Sequence, residues 1–186
     1  AVAAYLIYFF TSYYRIADHQ QLEVDNAGAV SPVQTDTAYT FVTYNIGFGA
    51  YSADYSFFMD GGTESRAFSK DAVLTDISGA LDTVQAQNPD FFYLQEVDLD
   101  STRSYHVDEY QMAQDAFPSL SHLIAIDFDS PYLFYPLLEP HGKSKSSIAT
   151  FSRFAINSAE RRSLPLDKGF SRYTDLDRCF SVSELS

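Results

Sequence analysis

Two apolar runs, each ending in polar residues, constrain this sequence more than any other feature. Tyr39 to Ala50 reads YTFVTYNIGFGA, and Asp90 to Asp98 reads DFFYLQEVD. Both are short and apolar, and Phe41 and Val42 are good strand formers, so each run predicts a β-strand. The second run has the near-continuous apolar character of a central strand covered on both faces. Between them, Val73, Leu74, Ile77, Leu81 and Val84 recur at helical spacing and predict a helix over Lys70 to Gln87. Ser69 or Asp71 can cap this helix, and Asn88-Pro89 ends it. A strand, a helix and a second strand bring both strand ends to one edge of a sheet, where Asn45 meets Glu96. Gly47 and Gly49 mark a turn or a close backbone approach. If the second strand runs on through Val97, Glu96 and Asp98 share a face.

The remaining pattern continues in the same style. Ala53 to Ser69 is a long loop with a turn at Met59-Asp60-Gly61-Gly62, and Asp98 to Ser104 is a second polar loop. His106 to Phe117 reads as a short helix closed by Pro118. Ser121 to Phe128, Tyr132 to Tyr135 and Ser147 to Phe151 read as strands, with a loop over Leu137 to Ser146. Ala155 to Ser163 is expected to pair with Ser147 to Phe151 as a hairpin. After a loop over Leu164 to Asp175, Cys179 to Leu185 begins one more strand. The folded domain is expected to span 38–186 as an α/β protein.

Ala1 to Tyr14, AVAAYLIYFFTSYY, carries no charged side chain before Arg15. Fourteen residues are fewer than the roughly 20 a membrane span needs. Residues 1–15 are expected to be the tail of a transmembrane or signal anchor, with Tyr8, Tyr13, Tyr14 and Arg15 at the interface. The competing expectation is an ordinary buried helix or strand. Residues 16–37 read as a polar spacer. A signal-anchor of this kind would place the domain outside the cell.

The net charge of −13 argues against strong nucleic-acid binding, because such binders displace counterions with a basic face. It leaves open a small phosphorylated substrate held through a metal. One cysteine, Cys179, allows neither an intrachain disulfide nor a cysteine-based zinc site.

The chemistry centres on Asn45 and Glu96. A hard cation such as Mg²⁺ takes oxygen ligands, keeps several waters and needs only one or two protein carboxylates. Glu96 is a candidate for that carboxylate, and Asn45 for holding a phosphate oxygen or orienting a base. On spacing alone, Asn45 as a turn residue and Glu96 as a solvated strand end remain open. TYNI with Asn45, LQEVD with Glu96 and SIATFSRFAI with Ser152 and Arg153, in this order, resemble the endonuclease/exonuclease/phosphatase family, the DNase I-like superfamily of metal-dependent phosphoesterases. The resemblance covers about Ala38 to Leu185.

That resemblance implies a layered sandwich of two packed β-sheets flanked by helices. It implies that Glu96 binds Mg²⁺, with Mn²⁺ as a substitute, and that Asn45 is the catalytic asparagine. Arg153 matches a structural Ser-Arg element near the site, and Asp177-Arg178 the start of the strand leading to the next active-site segment. Arg66 and Arg103 lie in loops on the expected active face, either meeting substrate phosphate or solvated. The substrate class stays open among lipid headgroups, nucleotides and sugar phosphates.

The sequence also departs from the family. The later Asn-x-His, Gly-Asp-x-Asn and Asp-His segments that activate water are absent after Arg178. Asp127-Phe128-Asp129 precedes Ser152-Arg153, the wrong order for an Asp-x-Asn segment. Asp18-His19 lies in the spacer, and His106, His122 and His141 read as non-catalytic. The expectation is a domain truncated at its C-terminus and inactive as these 186 residues. The alternative is a non-catalytic, membrane-tethered binding module with the same fold.

Overall fold

A computed structural model describes residues 2–12, 14–26, 32–165, 169 and 175–185. Among them are two β-sheets and three α-helices. The elements in chain order are α1 (Val2–Ser12), β1 (Gln20–Gln21), β2 (Phe41–Asn45), α2 (Lys70–Ala86), β3 (Phe91–Asp98), α3 (Glu109–Ala116), β4 (Ser121–Asp129), β5 (Lys145–Ser152), β6 (Ile156–Ser163) and β7 (Cys179–Leu185). One sheet has the order β2-β3-β5-β4 and the other β1-β6-β7.

The β2–α2–β3 unit forms as its pattern predicts. β2 and β3 pair in parallel, with Asn45 opposite Gln95. Ser69 caps α2 by accepting the Ala72 N–H at 3.0 Å. Val73, Ile77, Leu81 and Val84 bury the apolar stripe of α2 against Phe48, Phe92, Leu94 and Phe151 in the larger core. Leu74 stays exposed at its margin. Phe92 stacks on Phe151 across the β3–β5 pair, 4.5 Å between ring centroids.

The second sheet has its own, smaller core. Leu123 of β4, Ile156 and Ala159 of β6 and the flanking Leu22, Val24 and Leu185 pack together. The architecture is therefore a mixed α/β one with two sheets, compatible with a two-sheet sandwich.

Several expectations change on this scaffold. Ser147 to Phe151 and Ala155 to Ser163 do not form a hairpin. At Ser152–Phe154 the chain leaves one sheet for the other, held by Ser152 Oγ accepting the Phe154 N–H at 2.9 Å. Tyr132 to Tyr135 is not a strand and makes only one bridge, Leu133 with Gly142. Within the expected spacer, residues 20–26 pack on the domain; residues 27–31 lie outside the described residues. Gln20 and Gln21 pair with Arg161 and Glu160, Asp25 bridges His122, and Asn26 bonds both backbone groups of Ile156 at 3.0 Å. The polar residues that resemble a linker in sequence are the partners of an otherwise open sheet edge.

The N-terminal apolar run forms α1, eleven residues long. Among the described residues, no helix is long and apolar enough to cross a membrane. α1 lies on the segment after β4. Tyr5 donates to the Tyr132 carbonyl at 3.1 Å, and the Tyr132 N–H donates to the Tyr8 hydroxyl at 3.0 Å.

Candidate functional site

β2 and β3 end side by side, and Asn45 Nδ2 donates to Glu96 Oε1 at 3.0 Å. Asn45 Oδ1 accepts the Gly47 N–H at 2.9 Å, an Asx-turn that fixes the amide. Behind it, Gly47, Phe48 and Gly49 all take positive φ. A Cβ on Gly49 would stand 2.9 Å from Val73 Cγ1, so the turn sits flush on α2.

Glu96 itself has φ +56. A non-glycine residue rarely adopts that conformation, and it costs on the order of 1–3 kcal/mol. The cause is a bulge, because the β3–β5 register jumps between Leu94 and Val97. β4 carries a matching irregularity on the other side of β5, where the register jumps between Ile126 and Phe128 and leaves Asp127 unpaired. Both bulges lie opposite Ser146 to Ile148. Bulges re-aim side chains, and here both strands that flank β5 present a carboxylate. Glu96, Asp127 and Ser146 all line one cavity of about 820 Å³.

Burial pushes the Asp127 carboxyl up to about 6. The Arg103 charge opposes the shift, and the carboxylates of Asp98 and Glu96 add to it. Tyr51 also lines the cavity. Burial, a hydrogen bond to Asp60 at 2.9 Å and the charge of Glu96 raise its phenol.

The expected arginines separate. Arg103 lines the cavity, but its guanidinium is engaged within the protein. It is 8 % exposed, its Nε and Nη2 donate to the two Asp98 oxygens at 2.9 and 2.8 Å, and its Cζ lies 3.9 Å from the Phe48 ring centroid. Ser104 adds a third donor to Asp98 at 2.9 Å. Asp98 is fully buried in this ion pair, while Glu96 stays partly exposed on the cavity wall. Arg66 Nε donates to the Pro140 carbonyl at 2.8 Å and lies outside the cavity lining. Arg153 is structural but not near the site. It bonds Asn88 Oδ1 at 3.0 Å and the Pro89 carbonyl at 3.1 Å, at the start of β3. Glu96 lies seven residues beyond Pro89, on the order of 20 Å away. Arg178 is exposed, lines the cavity and pairs with Asp175 at 3.8 Å.

His141 lines the cavity but has both ring nitrogens engaged, Nδ1 with the Ser65 carbonyl at 3.2 Å and Nε2 with Ser144 Oγ at 3.0 Å. His122 bonds Tyr110 at 2.7 Å, and His106 pairs with Asp100 in solvent.

Asp127 is the residue that sequence order set aside. Its signal was parity, since it continues the alternation of the buried Leu123 and Ala125 and puts an acid in an apolar position. Among the described residues, no three His, Cys, Asp or Glu side chains stand close enough to hold an ion together. Glu96 and Asp127 are two carboxylates lining one cavity, and a hydrated hard cation needs no more than one or two. No family, no curated protein and no solved structure matches this chain.

Proposed function

We propose that this chain carries the active site of a divalent-metal-dependent phosphoesterase of the endonuclease/exonuclease/phosphatase class. The observation that supports the proposal is the pair of bulges presenting Glu96 and Asp127 to one cavity on either side of β5. Glu96 is the ligand for Mg²⁺ or Mn²⁺, and Asn45 holds its carboxylate in place. Such an ion supplies charge neutralisation at a phosphoryl oxygen and a bound water of lowered pKa. Asp127, with a carboxyl near neutrality, accepts the proton of the attacking water. Arg178 is the cavity's exposed guanidinium and meets a phosphate oxygen. In this proposal α1 attaches the chain to a membrane, with the domain outside the cell; the exposed Val2 and Ile7 of α1 support the attachment.

The test is Mg²⁺ binding by calorimetry together with Mg²⁺- or Mn²⁺-dependent hydrolysis of bis-p-nitrophenyl phosphate. Glu96→Gln should abolish both while leaving the fold intact. Turnover that also disappears in Asp127→Asn assigns the proton acceptor to this chain. The second reading, a binding module, draws on the small number of carboxylates. It predicts ligand binding with no turnover under any divalent ion.

A further inference from the structure

The cavity floored by Glu96 and Asp127 has a second half that the hydrolysis does not use. At about 820 Å³ it is in the range that takes a small organic molecule, on the order of 300–1,000 Å³. Its outer walls are hydrocarbon, with Leu6 and Phe9 of α1 on one side and Phe134 and Leu137 of the segment after β4 on the other. No charged residue occurs in α1 or between Ser130 and Leu138.

Core packing accounts for the buried Phe9 but not for the rest of these walls, where Leu6 is 46 % exposed and Leu137 82 %. Yet they are held in place. The Tyr5 and Tyr8 hydroxyls tie α1 to the backbone of Tyr132, and the Tyr5 ring meets Phe134 edge-on, 4.9 Å between centroids. The result is a slot with fixed apolar sides, open to solvent at its mouth and polar at its base. A nucleotide or sugar phosphate seated at the base would leave those sides wet. A hydrocarbon chain would displace that water from both.

We propose that the slot binds the alkyl or acyl chain of an amphiphilic ligand, lying between α1 and residues 133–137 with its polar head at Glu96 and Asp127. The identity of that head as a phosphate ester rests on the hydrolase reading above, whereas the chain subsite does not.

The experiment is a calorimetric series of methyl, butyl, hexyl and octyl phosphate, each with and without Mg²⁺. Octyl glucoside, kept below its micelle threshold, serves as an uncharged chain. The dissociation constant should fall about fourfold for each methylene that enters the slot. Octyl glucoside should displace octyl phosphate. Leu6→Glu and Leu137→Glu, both solvent-facing, should weaken octyl phosphate at least tenfold and leave methyl phosphate unchanged. A steep series that ignores Mg²⁺ keeps the slot and removes the metal reading. A flat series with Mg²⁺-dependent affinity removes the slot and keeps the metal reading. A steep series untouched by both glutamate substitutions, or no displacement by octyl glucoside, places the chain elsewhere and overturns the proposal.

Discussion

Glu96 holds a backbone conformation that a glycine would hold without strain. Replacing it separates two effects that a single variant confuses. Glu96→Gly and Glu96→Ala both remove the carboxylate, but only alanine keeps the unfavourable Cβ at φ +56. The glycine variant should be more stable than the alanine variant by about 1 kcal/mol in urea unfolding. Equal stabilities would mean that the bulge relaxes on losing the side chain. His141 gives a second residue-scale prediction. Burial, reinforced by the Arg103 charge, lowers its pKa from 6.5 to about 4. A depressed histidine contributes stability that is fully present above the unfolded pKa and lost as pH falls through the folded one. About 3 kcal/mol should therefore disappear between pH 6.5 and 4. Urea unfolding of wild type and His141→Gln at pH 7 and pH 4 checks this, with the variant showing the flatter dependence. At this scale, Asn45 and Glu96 were legible because an apolar run that stops in polar residues marks a strand end. The burial of Arg103 was not, because a loop arginine five residues from an aspartate reads the same whether the pair is solvated or enclosed.

Elements were easier to read than their partners. α2 declares itself by its stripe and its cap, and β3 by its unbroken apolar run. Their packing is tight where β2 turns away. Gly49 at φ +63 lies against Val73 and Ile77, whereas a Cβ on Gly61, at φ +89, would have nothing within 4 Å. Gly49→Ala should cost about 2 kcal/mol or more through strain and overpacking together. Gly61→Ala should cost only about 1 kcal/mol, from strain alone. Thermal unfolding of the two variants side by side tests the contrast. The destination of β6 was not legible. Period-two alternation says that a segment is a strand and which residues share a face, but it does not say which sheet receives it. The same limit hid the role of Gln20 and Gln21, whose two-residue ladder carries no hydrophobic signature.

Across the whole molecule, one side chain joins parts distant in sequence. Arg161 of β6 is fully buried. Its guanidinium donates to the carbonyls of Ile126 at 2.8 Å, Ala17 at 3.1 Å and Asp177 at 2.6 Å, and to Ser163 Oγ at 2.7 Å. Arg161→Met would leave those acceptors stranded, with a loss of about 3–5 kcal/mol. It should also release residues 14–26, seen as faster amide exchange at Leu22, whose N–H is bonded to the Ala159 carbonyl at 2.8 Å. Exchange that quickens uniformly would show instead that the two sheets unfold as one. The bonds of Tyr5 and Tyr8 to Tyr132 join residues 127 and 124 positions apart. A ribosome adding about 5–20 residues per second needs roughly 6 to 25 s to make that stretch. For that interval α1, among the most apolar segments of the chain, exists without the segment it packs against. One apolar side of the cavity is thus synthesised well before the segment that seats it.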